Sequence, residues 1–341
     1  MQILQKRSAR NLSRRGVLGA LAAFPMRVLG ERLAGRDLEI DSLGPAIETP
    51  GAQRRELRYR VDAVVLLLSL PVFRRAGVGQ ARMAVAEDGA AVGRRLTIDF
   101  AAASDPARAH GIDRAGWFRE VVLENDGEPA RAATLGVMTD SPEQSVEQAR
   151  AAFHPGAEDP RYVAIDSASV PGRTRSRVIH FHQPRAQSAT NESWPDSVRR
   201  IFQREVPEWK ETDWASGEKR APRTFLYAIL RALEHPGVAA QTFYVFNENR
   251  YRLEMASAAD PERGKQFAAA RLTSAPERIL RVHGVIENLT KRTHPTHLQV
   301  WVDAGASVPL PIRVEFEPRS FLRLALEALP KPPAAESKEQ I

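Results

Sequence analysis

The sequence predicts a mainly β protein: an antiparallel, curved or open barrel-like sheet carrying one or two short helices. Three observations predict it. Apolar and polar residues alternate with a period of two in many short segments, as in Leu298, Val300 and Val302 against Gln299, Trp301 and Asp303. Gly and Pro turn signals separate these segments at short intervals. Only one stretch, 223–234, has a strong helical pattern.

Taken in order, the elements begin at Leu57. Leu57, Tyr59, Val61 and Ala63 alternate with Arg58, Arg60 and Asp62, and the strand runs on into the Val- and Leu-rich residues 64–70. Pro71 is expected to end or bend it, with a turn at Gly77 and Gly79. Further strands are expected at Met83–Val85 and Leu96–Phe100. The segment 112–123 suits either a helix or a strand; the spacing of Ile112, Ala115, Phe118 and Val122 favours a short helix. Strands follow around 163–165 and 176–181. Residues 184–222 form a polar insertion that contains Trp194, Trp209 and Trp214, with a short helix at 197–205 capped by Asp196. In the helix 223–234, Phe225, Ile229 and Ala232 join Leu226, Leu230 and Leu233 in a broad apolar stripe, and Pro236-Gly237 ends it. Strands are then expected at 241–246, 251–256, 268–273, 279–288, 297–302 and 312–317. A last strand or helix lies at 321–329. The chain thus divides into a leader (1–30), a linker (31–55), one β-rich domain (56–329) and a polar, disordered tail (330–341).

The 341 residues contain no cysteine, which removes disulfides, thiolate chemistry, iron–sulfur clusters and a lipidated N-terminus. The net charge is +7, but the first thirty residues hold six basic side chains and no acid. That leaves 43 basic against 42 acidic residues elsewhere, so no basic stripe points to nucleic acid.

The leader reads as a twin-arginine export signal. Ser13, Arg14, Arg15, Val17 and Leu18 open a mildly apolar, Gly- and Ala-rich stretch to Met26, which is too short to span a bilayer. The twin-arginine translocase is the expected partner during export, and the periplasm or exported envelope is the expected destination.

The order of features resembles the bacterial exported family called domain of unknown function 3108. The likeness covers roughly residues 56–326 and rests on four stretches: Arg58-Tyr59-Arg60-Val61, Gly79-Gln80-Ala81-Arg82-Met83, the helix Phe225–Arg231 with Pro236-Gly237, and the closing pair 298–303 and 308–315. The stretch 193–215 departs from the family by its length, and the twin-arginine leader is a second departure. The resemblance implies a periplasmic location and a curved, barrel-like sheet. It supplies no reaction and no catalytic residues.

No motif with a fixed catalytic spacing occurs: there is no P-loop, no Gly-x-Gly-x-x-Gly, no His-Glu-x-x-His and no Gly-x-Ser-x-Gly. No cofactor or metal is expected. His180 and His182 face one side of a strand, where alternating histidines ordinarily meet water; a metal there would need further ligands, such as His294 or His297. Trp194, Trp209 and Trp214 stand among Asp196, Glu208, Glu211 and Asp213, a composition that suits a carbohydrate platform or a carboxylate-dependent polysaccharide hydrolase. It equally suits tryptophans that pin an irregular segment to the sheet.

The leading expectation is a non-enzymatic envelope protein that binds a lipid, glycan or partner protein in its curved sheet. Val65, Leu67, Phe225, Ile229 and Trp301 are the apolar inner residues to watch, with the helix plugging or lining the concavity; the same five residues suit plain core still better. An envelope assembly scaffold that pairs through a sheet edge is the remaining alternative.

Overall fold

The computed structural model describes residues 53–67, 70–90, 93–105, 107–109, 114–139, 161–182, 194–214, 224–234, 240–291, 293–306, 309–319 and 322–330. The export signal at 13–18 lies outside them. Fourteen strands and three helices make up the described chain. The first strands are β1 (Gln53–Leu67), β2 (Leu70–Ala90), β3 (Gly93–Ser104), β4 (Ala115–Asn125), β5 (Glu128–Thr139), β6 (Arg161–Val170) and β7 (Arg173–His182). Helix α1 (Trp194–Glu205), β8 (Lys210–Asp213) and helix α2 (Phe225–Glu234) follow. The chain continues with β9 (Ala240–Phe246), β10 (Asn249–Ala259), helix α3 (Pro261–Ala269), β11 (Ile279–Asn288), β12 (Thr296–Asp303), β13 (Pro311–Arg319) and β14 (Leu322–Ala328).

All strands belong to one antiparallel sheet, so the fold is mainly β, as the alternation predicts. The strand order is β8-β7-β6-β5-β4-β3-β2-β1-β14-β13-β12-β11-β10-β9. The first and last strands are therefore neighbours, paired from Tyr59↔Ala328 to Val65↔Leu322. Two meanders run outward from this seam and end in the edge strands β8 and β9. The sheet curls until the two arms approach. Lys210 of β8 reaches Glu248, in the β9–β10 turn, at 2.8 Å. Phe118 of β4 meets Phe246 of β9 with ring centroids 5.5 Å apart. Among the described residues the edges are joined by side chains and not by a backbone ladder, which makes an open barrel.

The period-two alternation sorts the side chains. Tyr59, Met83, Phe100, Phe118, Leu298 and Val314 turn inward and pack with α2 in one continuous core. On the outer face, α1 lays Val198 and Phe202 over Trp117, Tyr162 and Ile179. The outer side of β13 and β14 carries a charge ladder in which Arg313 binds Glu315 at 2.8 Å and also Glu327, and Arg323 binds Glu317 at 2.6 Å.

Several expectations are corrected. The segment 112–123 is not helical where described: β4 occupies 115–125, because both of its faces are buried, Trp117 under α1 and Phe118 inside the barrel. Residues 268–273 are not a strand. They end helix α3 and turn away from it, and the overlooked start signal is Asp260-Pro261, where the Asp260 carboxylate accepts from the Arg263 amide at 3.1 Å. Neither Pro71 nor Gly77 breaks β2, which runs for 21 residues. The irregularity is absorbed as bulges, at register shifts between Val61 and Ala63 and between Val65 and Leu66. Helix α1 starts at Trp194, so Asp196 sits in its first turn. Strands β5 and β8 were not legible, and 322–328 is a strand.

Candidate functional site

Helix α2 lies inside the curled sheet, and the reason is in its composition. Seven of its ten residues are buried: Phe225 to Leu230 in succession, then Leu233. A helix of ten residues is marginal alone in water, so this one is held by what surrounds it.

Its N-terminus is held by a side chain from the sheet. Glu120, on the inner face of β4 and 1% exposed, accepts from the amides of Leu226 at 3.1 Å and Tyr227 at 2.9 Å, and from the Thr224 hydroxyl. A carboxylate here meets the unpaired first amides and the positive end of the helix dipole. Desolvation nevertheless dominates. Burial pushes the Glu120 carboxyl up to about 7, against the lowering by Thr224 and the helix amides.

Further along β4, a second carboxylate repeats the contact. Glu124 follows Glu120 by four residues, so both face inward on the strand. The Tyr227 hydroxyl donates to Glu124 at 2.5 Å, and the Arg94 guanidinium lies 3.2 Å from its other oxygen. Arg94 is itself held by both oxygens of Glu87, at 2.7 and 2.8 Å, which keeps it firmly protonated. Arg231, on the last turn of α2, binds Glu234 at 2.5 Å and the Gly127 carbonyl at 3.1 Å.

Beside the helix is a small apolar space of about 30 Å³, between Leu226 and Ile229 on one side and Tyr59, Met83, Phe100 and Leu298 on the other. One water would fit its size, but a buried water needs polar partners and none of the lining supplies them. The Tyr59 hydroxyl is already committed to the Pro311 carbonyl, 2.7 Å away. Around this space the concave face is therefore apolar, and Leu226 and Ile229 of α2 lie against it.

The residues singled out from the sequence are dispersed. Phe225 packs on Tyr244 of β9, centroids 5.3 Å apart, while Ile229 faces the small space. Val65 is half-buried on β1, near the tip of its hairpin, where Leu67 also falls. Trp301 is buried at the α3 side, its indole donating to Asp260 at 2.9 Å. Trp194, Trp209 and Trp214 do not share one exposed surface. Trp194 packs on Tyr162, and Trp214 is buried with its indole N–H on the Thr174 hydroxyl, 2.9 Å away. Trp209 alone of the three is exposed, at 38%, with Arg175 and Arg177 over its ring.

His180 and His182 lie exposed along β7, whereas His297 stacks on His283 across β11 and β12. Among the described residues no group of three or more His, Asp or Glu side chains is placed to hold a metal ion. Of the carboxylates near the tryptophans, Asp196 pairs with Arg199 and Glu211 with Arg173.

Sequence reasoning missed Glu120, Glu124, Thr224 and Tyr227. The available signal was the four-residue spacing of two carboxylates in an otherwise apolar run. In a strand that spacing puts both carboxylates on one face, here the buried one.

No family model matches the chain, and no curated protein matches it. Among solved structures, the chain is similar to a beta-barrel-like protein of domain of unknown function DUF1849 from Brucella abortus. The identity is 8% and the TM-score 0.43, over 81% of this chain and 95% of that one. No site residue or activity passes from that protein to this one.

Proposed function

We propose that this chain is an exported, non-enzymatic envelope protein whose curled sheet takes up the acyl chain of a lipid in the place that helix α2 holds at rest. The observation that carries the reading is the anchorage of α2: an apolar concave face covered by a short helix whose N-terminus is held by one buried, ionisable side chain, Glu120. A helix N-terminus is ordinarily capped by a Ser, Thr, Asp or Asn at its own start, and Thr224 stands at that position. Here the Thr224 hydroxyl is turned to Glu120 instead. A carboxyl buried at such cost is a feature of functional positions.

Two further observations support it. The barrel is open between β8 and β9, so the helix has a side from which to leave. The charge ladder on β13 and β14 suits water outside, where a membrane-spanning barrel would present apolar residues to lipid. The twin-arginine leader, the periplasmic destination and membership of the exported 3108 family belong to the same reading and rest on the sequence motifs alone.

Native mass spectrometry of protein taken from the periplasm tests it, together with titration of the stripped protein with a fluorescent fatty acid. A co-purifying acyl lipid and saturable binding of one probe per chain are expected. Protein that carries no adduct and binds no probe overturns the proposal.

A further inference from the structure

The hairpin of β1 and β2 runs well past its neighbour β3 and two residues of β1 past its other neighbour, β14. On one side, the ladder of β1 with β14 stops at Val65↔Leu322. On the other, the ladder of β2 with β3 begins only at Gly79↔Ser104. Between these limits β1 and β2 pair with each other, out to Leu67↔Leu70. The arm is fixed at its base. The Asp62 carboxylate accepts from the Gly77 amide at 2.8 Å and from Arg74 at 2.7 Å, and Gly77 takes a φ of +63°, which a glycine adopts without strain.

The end of this arm is apolar in sequence, Val64–Leu67 on one strand and Leu70–Phe73 on the other. Val72 is 58% exposed and Phe73 54% exposed, the largest such neighbouring pair among the described residues. Arginines follow at once. Phe73 lies opposite Val65, Arg74 opposite Val64 and Arg75 opposite Ala63. Successive strand residues point to opposite faces, so Arg74 and Arg75 put a guanidinium on each side of the arm just behind the apolar end. Arg60 and Arg108 lie near its base, against the carboxylates of Asp62 and Asp105.

We propose that the β1–β2 arm is a docking surface for an anionic phospholipid bilayer. Two neighbouring exposed apolar side chains offer too little apolar area for a stable interface with a folded protein. The pair suits the headgroup boundary, where Val72 and Phe73 enter the acyl region and the arginines behind them meet phosphate. The proposal is independent of what the concavity holds, since the arm lies outside it.

Flotation of the full chain with vesicles tests it, using phosphatidylglycerol with phosphatidylethanolamine in one set and phosphatidylcholine alone in the other. Binding to the anionic vesicles is expected, weakened by high salt. The double substitution Val72→Ser with Phe73→Ser is expected to lower it about tenfold, from the loss of two half-exposed apolar side chains. Thermal melting of that variant should match the wild type, because neither residue is buried. Binding that the double substitution leaves unchanged would place the contact elsewhere, for example on the basic leader, and overturn the proposal. So would equal binding to both vesicle types, or none to either.

Discussion

Glu120 accepts hydrogen bonds from the Leu226 and Tyr227 amides, so the cap of helix α2 comes from a strand about a hundred residues earlier in the chain. Sheet and helix N-terminus are thereby joined at one buried carboxyl, and Glu124 adds a second contact at Tyr227.

Stability should depend on the protonation of that carboxyl. Burial raises Glu120 from 4.5 to about 7, so the folded state holds its proton more tightly than the unfolded chain does. The resulting stabilisation is complete below about pH 4.5 and is lost as pH rises through about 7. Glu120→Gln keeps an acceptor for the helix amides and cannot titrate. Denaturant unfolding at pH 5 and pH 8 should show a larger loss with rising pH in the wild type than in this variant. Equal pH dependence in both would assign the titration to other groups. Taking the difference between the proteins cancels Asp62, which is held low by Arg74, the Gly77 amide and Arg60 despite its burial.

With no lipid bound, the buried face of the helix should be needed for stability, and the exposed tryptophan should not. Leu226 and Ile229 are buried side by side against the sheet, so Leu226→Asp or Ile229→Asp places a carboxyl where it has no partner. That costs several kcal/mol, out of a total of about 5–15 kcal/mol. Trp209→Ala removes a side chain that lies on the surface under two arginines. Circular dichroism melts should show the aspartate variants unfolded at room temperature and Trp209→Ala within a few degrees of wild type. The reverse order would place the core elsewhere.

The closure of the barrel should be sensitive to one added methyl group. Gly136 lies directly opposite Phe118, whose ring covers it and reaches Phe246 across the opening. A Cβ at Gly136 would stand 2.2 Å from that ring. Gly136→Ala must displace Phe118, and a loss of about 1–3 kcal/mol is expected in denaturant titration. No loss would mean that the ring is free to move aside.

Export is tested separately. Arg14→Lys with Arg15→Lys should leave the precursor in the cytoplasm, because the apolar stretch after the arginine pair is too weak for the general secretion path. Fractionation that recovers the variant in the periplasm at the normal yield would contradict a twin-arginine route.

Much of the fold was legible because strands with one buried face advertise it. Leu298, Val300 and Val302 read correctly from alternation alone, and the α2 stripe read correctly from its period. β4 did not, because Trp117 and Phe118 are both buried, on opposite faces, which erases the alternation. α3 was lost because its start signal, Asp260-Pro261, precedes a segment with a weak apolar face. The anchorage of α2 was beyond the sequence for a different reason. Glu120 and Thr224 meet only because the sheet curls, and no local pattern records that contact.

The central claim is that α2 occupies a site an acyl chain can take. Hydrogen exchange of the backbone amides, measured with and without saturating palmitate, addresses it directly. The amides of Phe225–Glu234, including the two held by Glu120, should lose protection when palmitate binds, while β3 and β4 stay protected. Palmitate that binds without changing exchange in Phe225–Glu234, or that does not bind, would contradict the account.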